Sequence, residues 1–212
     1  MEAATVGHAI ALYRLLSEQY PEGGTELEFD NTFQLLVATV LSAQTNDKQV
    51  NQVTKVLFRR FSTSTLLRAA HPKEIETIIR PVGLYKSKAH ALTNLSRIIE
   101  EEYGGTVPNT MAELLRLPRV GRKTANVVLG HGLNLDAFPV DRHVLRVCNR
   151  LGLTEQTEAH NVEAQVTSLL EPHTWLQMSD YLIRHGRRIC KSRPDCDKCC
   201  LTSCCRYFDV QT

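Results

Sequence analysis

Leu117-Pro118-Arg119-Val120-Gly121-Arg122-Lys123-Thr124-Ala125 reads as the link of a helical hairpin. Leu117-Pro118 ends one short helix, Gly121 permits a tight turn, and a fresh helix is expected from Arg122 through Lys123, Ala125, Val127, Val128 and Leu129. A helix start presents unpaired amides and the positive end of a dipole, which makes it an anion site. Such a hairpin can hold a DNA phosphate without reading base sequence, although a glycine-containing turn between helices is also commonplace. Lys123 falls in the first turn of the second helix, where the dipole and partial burial both disfavour a cation, so its pKa is expected to be lowered. A neutral amine there can attack an electrophilic sugar carbon and form a Schiff base; the bland alternative is a solvated helix lysine.

Outward from the hairpin, helical periodicity dominates. Phe33, Leu36, Val37, Val40 and Leu41 recur at i, i+3, i+4, i+7 and i+8, which buries one helix face. Ile75, Ile78 and Ile79 suggest a short helix, and Ala91, Leu92, Leu95, Ile98 and Ile99 a longer one. Thr110-Met111-Ala112-Glu113 has the form of a capping box. Val144, Leu145, Cys148 and Leu151 mark a helix after Pro139, and Val162, Val166, Leu169 and Leu170 the next. No segment alternates with a period of two, so the fold is expected to be all-α. Asp141 starts one of these helices, where its bland role is an N-cap and its functional one a carboxylate that manages protons and stabilises a sugar cation.

The 212 residues suffice for one large domain or two small ones sharing a cleft. Net charge is only +2, but residues 116–150 and 184–206 each carry seven Lys or Arg against two Asp. Together they hold +10, and the remaining 11 basic and 19 acidic residues leave −8 elsewhere. Clustered positive charge suits a polyanion partner, because each neutralised phosphate releases counterions. No run is long and apolar enough for a membrane span, and Met1 to Leu16 lacks the pattern of a signal peptide, so a cytoplasmic protein is expected. Six of the seven cysteines fall between Cys190 and Cys205, and in such a protein this reads as a metal or iron–sulfur site rather than as disulfides. Cys148, on an apolar helix face, is expected to be an ordinary buried thiol.

Several segments, in order, resemble the endonuclease III family of helix–hairpin–helix DNA glycosylases. They are Leu41-Ser42-Ala43-Gln44-Thr45-Asn46-Asp47, Val82-Gly83-Leu84-Tyr85-Lys86-Ser87-Lys88-Ala89, the hairpin, Val140 to Arg150, His185-Gly186-Arg187 and the C-terminal cysteines. The resemblance implies two helical lobes flanking a DNA-binding cleft. One is a helical barrel over residues 25–135, carrying the hairpin motif at about 114–130. The other is an iron–sulfur domain assembled from 1–24 and 136–212. It implies a monomeric base-excision enzyme, associated with a bacterial nucleoid, that removes oxidised pyrimidines from duplex DNA and cleaves the abasic strand by β-elimination. The nucleophile's motif position falls on Lys123 and the catalytic carboxylate's on Asp141. Gln44 and Leu84 match positions that fill the gap left by an extruded nucleotide, and Ser42 and Asp47 line the base pocket or cap helices. Arg119, Val120, Gly121, Arg122, His143, Lys191 and Arg193 are the other expected DNA contacts. Cys190, Cys196, Cys199 and Cys205 are the expected ligands of a [4Fe–4S] cluster, with zinc the alternative.

The chain departs from that family in three places. Arg119 stands where the hairpin normally has its first glycine, and a positive φ there would cost an arginine about 1 kcal/mol. The first cysteine gap holds five residues instead of six, which re-aims Lys191 and Arg193. Cys200 and Cys204 adjoin the expected ligands and compete for the last position. These departures keep open a paralogue with weak or narrow base excision, acting mainly in abasic-site cleavage or damage binding.

Overall fold

The computed structural model describes residues 4–211 and is helical throughout. In order, it contains α1 (Val6–Gln19), α2 (Thr32–Ser42), α3 (Asp47–Arg60), α4 (Ser64–Ala69), α5 (Pro72–Ile79), α6 (Tyr85–Tyr103), α7 (Met111–Leu114) and α8 (Arg122–Val127). A π-helical turn (Val128–Gly132), α9 (Arg142–Leu151), α10 (Ala159–Thr167), α11 (Trp175–Arg188) and α12 (Arg206–Gln211) follow. The all-α expectation holds: there is no strand among the described residues, and none of these helices is long and apolar enough to cross a membrane. The chain divides into a continuous unit, Glu26–Leu135, and a discontinuous one, Met1–Thr25 with Asp136–Thr212. The first residues of the expected 1–24 segment, 1–3, lie outside the described residues, as does 212.

In the continuous unit α2 is apolar around nearly its whole circumference, and Phe33 through Leu41 are all buried. A helix of that kind must be enclosed. Helix α3 and the α8–π segment pack on it, while α4 and α5 pack on α6. The helix expected to run through Leu129 widens at Val128 into the π turn. Gly130 and Gly132 weaken the α-helical alternative there. The wider turn ends against α2, where Thr32 Oγ1 donates to the Gly132 carbonyl at 2.8 Å. A Cβ on Gly132 would lie 2.8 Å from Thr32 Cγ2 and 3.2 Å from Leu35 Cδ2, so only glycine allows this approach.

The discontinuous unit is built on α1, α9 and α11, around Leu12, Leu16, Val144, Val147, Leu151, Met178 and Leu182. Helices α9 and α11 meet at Gly186, where a Cβ would lie 2.9 Å from His143 Cβ. Cys148 is fully buried in this core, and burial pushes its thiol far above the ordinary range. The cysteine segment is irregular, as its composition predicts, with single 3-10 turns at Cys196–Lys198 and Thr202–Cys204. Helix α12 follows it, anchored by an Arg206–Glu155 ion pair at 2.8 Å.

Replacing Gly132 with alanine is expected to lower stability by about 1–3 kcal/mol through overpacking. Thr32→Ser, which removes Cγ2 and keeps the hydroxyl donor, should recover part of that loss in the double variant, measured by thermal unfolding.

Candidate functional site

The hairpin begins with α7, whose N-cap Thr110 accepts from the Glu113 amide at 3.3 Å. The expected reciprocal bond is altered: the Glu113 carboxylate takes the Thr110 hydroxyl at 2.6 Å. Leu117 and Val120 are buried and join through a Val120 N–H to Leu117 carbonyl bond of 3.1 Å, which closes the turn. Arg119 stands at its tip with φ +60°. Gly121, expected to supply the turn's freedom, is instead extended at φ −95° and serves as the N-cap of α8. The left-handed residue is therefore Arg119, at a cost of about 1–2 kcal/mol. Its guanidinium donates to Ser87 Oγ, in the first turn of α6, at 2.6 Å. Arg122 is exposed at the first position of α8, and Lys123 is half-buried at the second.

Gln44 and Leu84 share that conformation. Their φ values are +60° and +59°, so with Arg119 they make three of the four left-handed non-glycine residues among those described. Strain of this sort persists only where the surroundings over-determine it, and it concentrates at functional sites. Leu84 occupies the N-cap position of α6 without a side-chain cap and is 52% exposed, so it does not pack on the core as a loop leucine ordinarily would. Gln44 is exposed in the turn between α2 and α3, and its carbonyl lies 3.6 Å from where a Cβ on Gly83 would stand. The two turns thus abut. Ser42 donates to the Thr39 carbonyl at 2.8 Å, ending α2. Asp47 is the first residue of α3, but the cap is Asn46, whose side chain accepts from the Gln49 amide at 2.9 Å.

In the discontinuous unit, Asp141 is the N-cap of α9. Its Oδ1 accepts from the His143 and Val144 amides at 2.7 and 2.9 Å, leaving Oδ2 outside the cap. Burial holds the His143 imidazole below its ordinary range, with Asp141 pulling it upward and Arg146 reinforcing the depression. Lys123 and Asp141 belong to different units, each in the opening turn of its own helix.

The seven cysteines are free thiols. Burial pushes Cys205 upward, and Cys190 and Cys196 push it the same way. Burial likewise raises Cys199 to about 11, with Cys205 and Cys190 among the groups adding to it and the Leu201 amide opposing. Cys199 thus lies within electrostatic reach of Cys200, Cys205 and Cys190, and Cys205 of Cys190 and Cys196, while Cys200 also feels Glu18 on α1. The Cys204 carbonyl accepts from His8 Nε2 at 3.0 Å. Among the described residues no three His, Cys, Asp or Glu side chains are gathered as a lone metal ion requires. A [4Fe–4S] cluster is itself several ångström across, so its four thiolates need not converge on one point. Donors to the sulfurs are in place: Arg150 Nη1 reaches Cys190 Sγ at 3.3 Å and the Leu201 amide Cys199 Sγ at 3.4 Å. These residues fit a cluster, whose positive irons would offset the thiolate charge that burial opposes.

Several structural participants have only faint sequence signals. Arg150 also donates to the Lys191 and Ser192 carbonyls and lies 4.8 Å over the Tyr207 ring, which fixes the shortened loop bearing the exposed Lys191 and Arg193. Arg146 donates to the Gly186 and Cys190 carbonyls. His185, fully buried and held neutral at about 4 by that burial, bonds Tyr20 through Nδ1 at 3.1 Å and faces Cys199 Sγ through Nε2 at 3.5 Å. Lys88, inside the Ser-Lys-Ala segment of α6, is fully buried. A lysine on an otherwise apolar helix face was the available signal.

Residues 37–172 match the model of the HhH-GPD superfamily base excision DNA repair protein, the class that the hairpin and the helical fold define. The sequence is 41% identical to endonuclease III of Synechocystis sp., over 93% of this chain and 91% of that one. It is 37% identical to endonuclease III of Escherichia coli, over 91% and 92%. A trapped endonuclease III–DNA covalent intermediate, an estranged-adenine complex, aligns with a TM-score of 0.93 at 36% identity, over 98% of this chain and 99% of that one. A thermostable thymine-DNA glycosylase, 22% identical, shares the fold with a TM-score of 0.87 over 96% and 98%. The chain belongs to the endonuclease III family.

Removing the Asp141 cap with Asp141→Ala is expected to cost about 1 kcal/mol, whereas Asp141→Asn, which still accepts from both amides, should cost less than about 0.5 kcal/mol. Denaturant unfolding of the two variants side by side checks the difference.

Proposed function

We propose that the protein is a bifunctional DNA glycosylase that excises oxidised pyrimidines from duplex DNA and cleaves the resulting abasic strand, with Lys123 as nucleophile. The observation that carries this is the position of a half-buried lysine in the first turn of the helix that follows the hairpin, in a fold shared with a trapped covalent enzyme–DNA intermediate. The amides at the start of α8 and the neighbouring Arg122 favour a phosphate there, which would bring the sugar to Lys123. Base extrusion is cheapest at a damaged, weakly stacked pair.

In the proposed reaction the neutral Lys123 amine displaces the base at C1′. The base departs with the bonding electrons and takes up a proton, and the sugar opens to an imine. Loss of a proton from C2′ then expels the 3′ phosphate, and water hydrolyses the imine to free Lys123. Asp141 commits one oxygen to capping α9, and its other oxygen serves proton transfer and stabilisation of the cationic sugar. Gln44 and Leu84, exposed on abutting left-handed turns, fill the vacated stack. Ser42 and Asp47 border the base pocket, and Arg119, Val120, Gly121, Arg122, His143, Lys191 and Arg193 hold the backbone. Cys190, Cys196, Cys199 and Cys205 would hold a [4Fe–4S] cluster; the mutual electrostatic reach of Cys190, Cys199 and Cys205 and the reach of Cys196 to Cys205 support that choice. Bound there, the cluster would tie together the loop that follows α11 and would supply no step of the lysine chemistry. The protein acts as a monomer on nucleoid DNA in the cytoplasm.

Borohydride reduction on a thymine-glycol or abasic-site duplex should yield a covalent adduct with the wild type and none with Lys123→Ala. A wild type that is not trapped, or a trapped Lys123→Ala, contradicts the mechanism. Asp141→Asn should slow trapping by about 100-fold. Anaerobically purified protein should contain about four iron and four sulfide per chain. Cys205→Ser should lose them, whereas Cys200→Ser and Cys204→Ser retain them; stoichiometric zinc would refute the assignment.

A further inference from the structure

Lys88 is among the largest of the fully buried side chains, and it is a lysine. Its Nζ donates to the Leu41 carbonyl at 2.9 Å and the Ala43 carbonyl at 2.7 Å. Those carbonyls belong to the last turn of α2 and the residue after it, where helix carbonyls lack partners and the dipole favours a cation. Helix α2 has no basic residue in its own last turn, so α6 supplies the cap from 47 residues away. Burial pushes Lys88 down to about 8, and the nearby Arg119 guanidinium pushes the same way. It therefore still carries its proton at neutral pH. Its own amide donates to the Leu84 carbonyl at 3.0 Å, in the turn that opens α6. Ala43 immediately precedes Gln44, and the Gln44 carbonyl abuts Gly83. One residue thus bonds both left-handed turns, the Gln44 turn through its side chain and the Leu84 turn through its backbone amide, with Arg119 bonded next door to Ser87.

We propose that Lys88 is a positioning residue for strand opening: its buried ammonium, seated on the Leu41 and Ala43 carbonyls, holds the Gln44 turn against the Leu84 turn, so that both side chains are preset to replace an extruded nucleotide before DNA arrives. This rests on the reading of Gln44 and Leu84 as the gap-filling residues. Lys88 touches no DNA and acts through them, by lowering the ordering cost that a loose turn would pay on binding.

Single-turnover borohydride trapping on an abasic site, compared between duplex and single-stranded DNA, separates positioning from general damage, because a single strand has no stack to fill. Lys88→Met is expected to slow trapping on the duplex by about 10- to 100-fold, and to leave the single-strand rate within about twofold. Lys88→Gln, which keeps an uncharged N–H donor group and covers the case of a poorly folded methionine variant, should show a smaller loss of the same duplex-specific kind. In a Gln44→Ala, Leu84→Ala background, Lys88→Met should add little, since the residues through which it acts are gone. Equal slowing on both DNAs, or an undiminished effect in that background, overturns the proposal. If Gln44→Ala and Leu84→Ala themselves leave duplex trapping unchanged, the gap-filling reading fails first and takes the Lys88 role with it. If they slow it and both Lys88 variants do not, only the Lys88 role fails.

Discussion

The carboxyl end of α2 is where the continuous unit is tied together. A helix buried on all sides cannot turn its last carbonyls toward water, and an unmet buried carbonyl costs about 1–3 kcal/mol. Lys88 meets two of them, and no acidic partner is needed because the helix end itself carries negative charge. The same bond sets where α6 starts relative to α2, and hence where the Gln44 and Leu84 turns stand. Arg119, bonded to Ser87, draws the hairpin tip to the first turn of α6. A structural cap and the geometry of the proposed interface are thus one arrangement.

Backbone strain follows the same map. Gln44, Leu84 and Arg119 all lie in the left-handed region, and each is exposed. The fourth such residue, Asn134, is of a type that tolerates this conformation. A leucine, a glutamine and an arginine do not, so their side chains repay a penalty that glycine would avoid. For Arg119 the return is a bond to Ser87, beside the turn that carries Leu84.

Charge clustering along the chain overstates the charge offered to a polyanion. Of the fourteen basic residues in the two rich stretches, Arg116, Lys198 and Arg206 pair with carboxylates, and Arg146, Arg150 and Arg184 donate to backbone carbonyls. Arg146 and Arg150 reach into the cysteine segment from α9, and this is how a loop one residue shorter than the family pattern stays defined. What the count registered as an electrostatic footprint is partly a scaffold for the cysteines.

The sequence by itself determined the helical class, the core stripe of α2, the N-cap at Asp141 and the burial of Cys148, because periodicity and capping act within one or two turns of chain. The same short-range signals placed Lys123 at the start of a helix. They missed the π turn after Val127, where a close approach to Thr32 decides between two helical geometries of similar local cost. They also put the turn's freedom on Gly121 when the structure puts it on Arg119, since only the path on either side dictates which residue must be left-handed. The partnership of Lys88 with Leu41 and Ala43 was beyond them altogether. It exists because two helices distant in sequence bring a cation and a set of unpaired carbonyls to the same buried point, and that is a property of packing, not of any window of sequence.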